Sequence, residues 1–299
     1  MADRNNPSQL ETDIASLNIH EPLAASAMLA QQWSKDLCTD CGSYHGAWQV
    51  LRLLGAINSM RSDDDFLVSQ LDAAIGSGAS RILVSGAADY ALQARIAAVA
   101  KKHNATPRIT VVDLCETPLE LNRWYAARKG MDVELVQGNI LNYRNPDRFD
   151  LVCTHSFLCF FNEDERKKLV SVWWDCLAPG GAVLTAQRAR PNDTSLRHGF
   201  SASQAAELGQ RAYQLAAEQY DQLGIDPEQA RNLAVDYAAN RSTYLVRDSE
   251  QLRQLFLQQG FELEWFAPPG GGQFEKDIPS TPTESSHRRW RILARKPCH

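Results

Sequence analysis

The residues of this 299-residue chain with the clearest chemical potential stand at the ends of short apolar runs. Gly86, Ala87 and Ala88 follow RILVS; Asp113 and Leu114 follow ITVV; Asn139 and Ile140 follow VELVQG; Thr154, His155 and Ser156 follow FDLVC. An aspartate placed 113 − 86 = 27 residues after a small-residue turn can accept hydrogen bonds from both hydroxyls of a ribose. The turn keeps a single glycine, Gly86, so it lacks the G-x-G-x-x-G spacing that brings backbone against a pyrophosphate, which disfavours NAD and FAD. An adenosine joined to an amino acid needs no such approach. Asn139 could read an adenine edge with Ile140 against the ring, or could simply form a turn. His155, His45 and His198 are the candidate general bases, because histidine titrates closest to neutral pH.

Positioning these groups requires strands that end together. From Arg81 onward RILVSGAA, ITVVDL, VELVQG, FDLVCTH and GAVLTAQ alternate with helical patterns such as YALQARIAAVAKKH and NEDERKKLVSVWWDCL. That alternation predicts a parallel sheet with helices on both faces, since parallel strands need crossover connections. ELEWFA and HRRWRILARKP are later strand candidates, separated by a Gly- and Pro-rich loop. Residues 1–22 read as a polar arm, and 23–78 as a helical module in which Asp63, Asp64 and Asp65 suit a helix N-terminus by capping and macrodipole. A second helical segment, 198–245, interrupts the rhythm after the fifth strand. The expected division is therefore 1–80 as arm and lid and 81–297 as the ligand-binding domain, with 198–245 as a cap insertion.

A net charge of 31 − 36 = −5 offers no broad footprint for a polyanion, so nucleic acid is not the expected partner. The N-terminal sequence does not read as a secretory signal, and no apolar stretch is long enough for a membrane span; a cytoplasmic protein is expected. The seven cysteines do not suggest a disulfide framework. Cys38-x-x-Cys41 with His45 offers three metal ligands but no fourth at a zinc-finger spacing, so no metal is expected and the cysteines read as free thiols.

Taken in order, ILVSGAADYAL, VVDLCETPLELNRWYA, ELVQGNIL, FDLVCTHSFLCFF and LAPGGAVLTAQR resemble the successive motifs of class I S-adenosylmethionine-dependent methyltransferases, over about residues 80–297. The resemblance implies an α/β, doubly wound Rossmann-like sheet of seven strands, the last antiparallel and suited by HRRWRILARKP as a reversed edge strand. It also implies S-adenosylmethionine as cofactor, with Gly86, Ala87 and Ala88 beside the methionine portion, Asp113 and Leu114 at the ribose, Asn139 and Ile140 at adenine, and Thr154, His155 and Ser156 where cofactor meets substrate. Tyr44 and His45 of the N-terminal lid join His155 as catalytic candidates. Two lids around one site imply a closed pocket and a small-molecule acceptor; the insertion's other readings are a packed helical pair or a homodimer surface. Neither Asn-Pro-Pro-Tyr nor Asp-Pro-Pro-Tyr follows the fourth strand, which argues against amino groups of nucleic acids or proteins as acceptors. Two alternatives remain: a cyclase resembling azetidine-2-carboxylate synthases, which releases methylthioadenosine from the cofactor, and a non-catalytic binding module.

Overall fold

The computed structural model describes residues 23–39, 41–42, 44–57, 60–145, 147–190, 196–269 and 288–298. The arm expected over 1–22 and residues 270–287 of the expected loop lie outside the described residues. Helices α1 (Leu23–Leu37), α2 (Tyr44–Leu54) and α3 (Asp64–Gly76) precede the sheet. Then β1 (Arg81–Ser85), β2 (Arg108–Asp113), β3 (Val133–Gln137), β4 (Phe149–His155) and β5 (Leu177–Ala189) alternate with α4 (Ala91–Lys102), α5 (Glu116–Lys129) and α6 (Glu163–Cys176). A short ribbon of β6 (Arg197–Gly199) and β7 (Ser242–Tyr244) brackets α7 (Ala202–Glu218), the single turn α8 (Tyr220–Leu223) and α9 (Pro227–Asn240). The chain closes with α10 (Ser249–Leu257), β8 (Glu262–Ala267) and β9 (Arg288–Arg295).

The seven-stranded sheet runs β3-β2-β1-β4-β5-β9-β8. β1 to β5 pair in parallel, while β9 is antiparallel to both neighbours. The reversed last strand is as expected, but it is not the edge: β8 takes that place and β9 lies between β5 and β8. Alternate strand residues serve opposite faces. Ile82, Val84, Leu151 and Cys153 pack with Phe66, Leu71, Ile96 and Val99 of α3 and α4. Leu83, Val152, Val183 and Ile292 pack with Leu169, Trp173 and Phe256 of α6 and α10. Burial on both faces is why β1 and β4 read as continuous apolar runs.

The aspartates at the start of α3 do something other than cap it. Asp63 is the N-cap residue but makes no side-chain capping bond. Its carboxylate is ion-paired to Arg289 and Arg291 of β9, Asp64 to Arg95 of α4, and Asp65 bidentately to Arg291 at 2.6 and 2.7 Å. A buried carboxylate gains more from a guanidinium than from one helix N–H, and β9 delivers two guanidiniums to this spot. The α3 N-terminus is thereby fastened to the sheet.

The N-terminal helices and the insertion share a separate core. Ala47, Val50, Leu51 and Leu54 of α2 pack against Leu208, Ala212 and Ala216 of α7 and Ala230, Ala234 and Tyr237 of α9. The helical pair is thus a packed pair, and together with α2 it forms one cap over the carboxyl ends of β1, β4 and β5.

Candidate active site

The first turn after β1 is built around one backbone requirement. Gly86 has φ +74°, and a Cβ there would stand 2.3–2.6 Å from the ring of Phe157. Only glycine meets both conditions without strain. The neighbouring Ala87 N–H donates to Asp113 Oδ2 at 2.8 Å, and Asp113 Oδ1 accepts from Cys115 N–H at 2.8 Å. The end of β2 therefore shapes the loop after β1, while each carboxylate oxygen keeps a second lone pair. Burial raises the pKa of the Asp113 carboxyl against the opposing pull of His45 and these backbone bonds.

A cavity of about 520 Å³ opens at these strand ends. Tyr44, His45, Gly86, Ala87, Ala88, Asp113, Leu114, Asn139, Ile140, His155 and Ser156 all line it, so the fold brings together eleven of the residues expected there. Thr154 is not among them: it is fully buried and its hydroxyl has no partner. His198 stands on β6 and also does not line the cavity. Asn139 uses its carbonyl to cap a short turn at Leu141 N (2.9 Å), the turn reading, which leaves its NH₂ end for any ligand. Ile140 is buried, whereas Leu114 is 62% exposed beside the cavity.

The far wall comes from the cap. Asp89, which caps α4 through Ala91 N–H (2.7 Å), is paired with Arg52 and accepts from Gln49 Nε2 at 2.7 Å, tying the first loop to α2. Tyr44 stacks on Trp48 and Tyr237, and the Arg241 guanidinium lies 5.1 Å from the Tyr44 ring and 4.6 Å from that of Phe160. Burial pushes the Tyr44 phenol far above its ordinary pKa despite Arg241, so Tyr44 is a hydroxyl donor rather than a base at neutral pH. Burial works against the charged form of Arg241, but Tyr44, Tyr237 and Cys159 outweigh it and raise the Arg241 pKa. Arg188 and Arg190 line the same cavity. Sequence reasoning missed these two, as nothing marks an arginine at the end of a strand as a cavity residue.

His155 is held by Asp63, its Nε2 lying 2.9 Å from Oδ2. With Asp63 accepting, Nε2 carries the hydrogen and Nδ1 the lone pair. Burial lowers the His155 pKa, overriding Asp63, and Arg289 and Arg188 push the same way. Ser156 beside it has φ +51°, and its buried hydroxyl has no partner. Strain of this kind in a non-glycine residue gathers at ligand sites. His45 faces away from these groups, with Nδ1 3.4 Å from Cys38 Sγ and 3.5 Å from Cys41 Sγ.

The cradle suits S-adenosylmethionine: a glycine turn where a side chain would not fit, a carboxylate with spare lone pairs, an apolar slot at Leu114 and Ile140, and an orphaned hydroxyl. A methyltransferase-domain family model matches residues 93–181. No curated protein matches this chain at a significant level. Among solved structures, an S-adenosylmethionine-dependent methyltransferase from Methanosarcina mazei is 15% identical, with 74% of this chain and 94% of that chain covered and a TM-score of 0.47. The apo methyltransferase SibL is 17% identical, with 97% and 74% covered and a TM-score of 0.49. The N-methyltransferase NodS of Bradyrhizobium japonicum, with S-adenosyl-l-homocysteine bound, is 14% identical, with 83% and 98% covered and a TM-score of 0.47. At these identities and TM-scores the likenesses carry no argument. Residues 93–181, from α4 into β5, are similar to a methyltransferase domain, and they lie within the seven-stranded sheet.

Proposed function

We propose that this protein methylates a small, anionic molecule at an atom that must lose a proton, with His155 as general base. The observation that carries the reading is the Asp63–His155 pair, which sets an oriented neutral imidazole at a cavity also lined by Asp113 and Gly86. The cofactor supplies an electrophilic methyl carbon activated by positive sulfur. The protein supplies geometry, and holding a nucleophile in line at near-attack distance lowers the barrier by about 7–11 kcal/mol. Asp113 would hold the ribose hydroxyls, the Asn139 NH₂ and Ile140 would face adenine, and Ser156 Oγ would donate to the amino-acid end. His155 Nδ1 would take the acceptor's proton, and Asp63 would stabilise the resulting imidazolium. Arg241, with Arg188 and Arg190 on the same cavity, would attract a carboxylate or comparable acidic group, while Tyr44, Trp48 and Phe160 supply flat apolar walls. Walls contributed by both sheet and cap favour a molecule small enough to be enclosed.

Incubation with S-adenosylmethionine alone, and then with fractions of small acidic metabolites, followed by mass spectrometry of the products, tests this. S-adenosylhomocysteine appearing only with an acceptor fraction is expected. Methylthioadenosine formed from the cofactor alone would contradict methyl transfer and point to the cyclase.

A further inference from the structure

The sequence offers Cys38, Cys41 and His45 as metal ligands and lacks a fourth nearby; the fold supplies one from 74 residues beyond Cys41. Cys115, the N-cap residue of α5, brings its Sγ to 3.6 Å from that of Cys38 and 3.9 Å from that of Cys41. With His45 Nδ1 at 3.4 and 3.5 Å from the first two sulfurs, all four ligand atoms lie within 4.8 Å of one another. A tetrahedral zinc ion, with metal–sulfur bonds of about 2.3 Å and a metal–nitrogen bond of about 2.0 Å, requires sulfurs about 3.8 Å apart and sulfur–nitrogen separations of about 3.5 Å. The four distances given match those edges to within about 0.2 Å, and the remaining two are at most 4.8 Å. A disulfide needs sulfurs about 2.0 Å apart, would join only two of the three thiols, and gives the imidazole no role.

We propose that Cys38, Cys41, His45 and Cys115 bind one divalent metal ion of the zinc class. On binding, the three thiols lose their protons to solvent and the sulfurs donate electron pairs to the metal, as does neutral His45 Nδ1, with no change of oxidation state. Four protein ligands leave no open coordination position, so the ion is structural. Thr117 Oγ1, buried and 3.2 Å from Cys38 Sγ, is placed to donate to the thiolate, and the Cys115 N–H is bonded to Asp113. The ion thereby joins the α1–α2 turn of the cap to the β2–α5 loop, two residues from Asp113. His45 then holds the cap in place instead of acting as a base.

Metal content of protein purified without chelator or added metal, measured by inductively coupled plasma mass spectrometry, tests the site without reference to any methyl acceptor. About one zinc per chain is expected in the wild type and in Cys298→Ser, and a large loss in Cys115→Ser. Thr117→Val, which keeps all four ligands, is expected to weaken metal affinity by about 10- to 100-fold. Should Cys115→Ser fail to fold, cobalt substitution of the wild type decides. The thiolate charge-transfer band and intense tetrahedral d–d bands are expected. A metal-free wild type that gives no such spectrum when reduced and loaded with cobalt would overturn the proposal, as would a disulfide among Cys38, Cys41 and Cys115 mapped in the native protein.

Discussion

Asp63 and His155, 92 residues apart in sequence, are joined by a 2.9 Å hydrogen bond that couples the N-terminus of α3 to the end of β4. The same carboxylate is ion-paired with Arg289 and Arg291, so one fully buried side chain serves both the fold and the imidazole. Replacing Asp63 with Asn leaves the buried Arg289 guanidinium short of a countercharge, while Arg291 keeps Asp65. A stability loss of about 3–5 kcal/mol is expected in denaturant unfolding, and a loss under 1 kcal/mol would remove Asp63 from its central place.

The pH dependence follows from the same pair. Burial holds the folded-state pKa of His155 below its ordinary value, so between the folded-state pKa and about 6.5 the unfolded chain binds a proton that the folded chain does not. Stability therefore falls as pH drops through this window. Asp63 adds to the loss at lower pH: His155, Arg289 and their hydrogen bonds outweigh burial and depress its pKa, so its contribution is complete above about 3.9 and disappears as pH falls toward the folded value. Catalysis should share the first limb, kcat/KM declining as His155 becomes protonated. His155→Asn is expected to lower kcat by about 10²- to 10⁴-fold and to abolish that limb while leaving S-adenosylhomocysteine affinity within a few fold. An unchanged profile in the variant would assign the proton transfer elsewhere.

Gly86→Ala places a methyl group into the Phe157 ring at a left-handed φ. The combined overpacking and backbone strain should cost about 2–4 kcal/mol, read as a lowered melting temperature. Pairing it with Phe157→Ala should recover only the steric part, whereas full recovery would show that the positive φ imposes no cost.

The order of the sheet was readable because fully buried parallel strands leave uninterrupted apolar runs, and their last residues or the turns that follow carry Gly86, Asp113, Asn139 and His155. Contacts made by chain segments far apart left no such signal. Asp63 looks like a helix cap in its local sequence, and the two arginines that claim its carboxylate lie more than 220 residues later. Cys115 is one thiol in an ordinary helix start until the cap brings Cys38 and Cys41 against it. Thr154 shows the reverse error: adjacency to His155 suggested a cavity residue, but period-2 alternation along β4 sends it to the opposite, buried face.

The cap should respond to ligand, because α2 and the β7 end of the insertion both line the cavity. Amide hydrogen exchange across 44–57 and 197–244 is expected to slow when S-adenosylhomocysteine is added. Identical exchange with and without it would leave these segments as fixed packing. Arg241→Ala should raise the KM for the acceptor and spare cofactor affinity; equal losses in both would place Arg241 on the cofactor instead.

Isothermal titration of S-adenosylhomocysteine into the purified protein tests the central claim most directly. The wild type should bind with a stoichiometry of about one per chain, and Asp113→Ala should bind more weakly by about 1–3 kcal/mol through the loss of hydrogen bonds to the ribose. No measurable binding to the folded wild-type protein, or equal affinity in the variant, would contradict the assignment of this cavity to the cofactor.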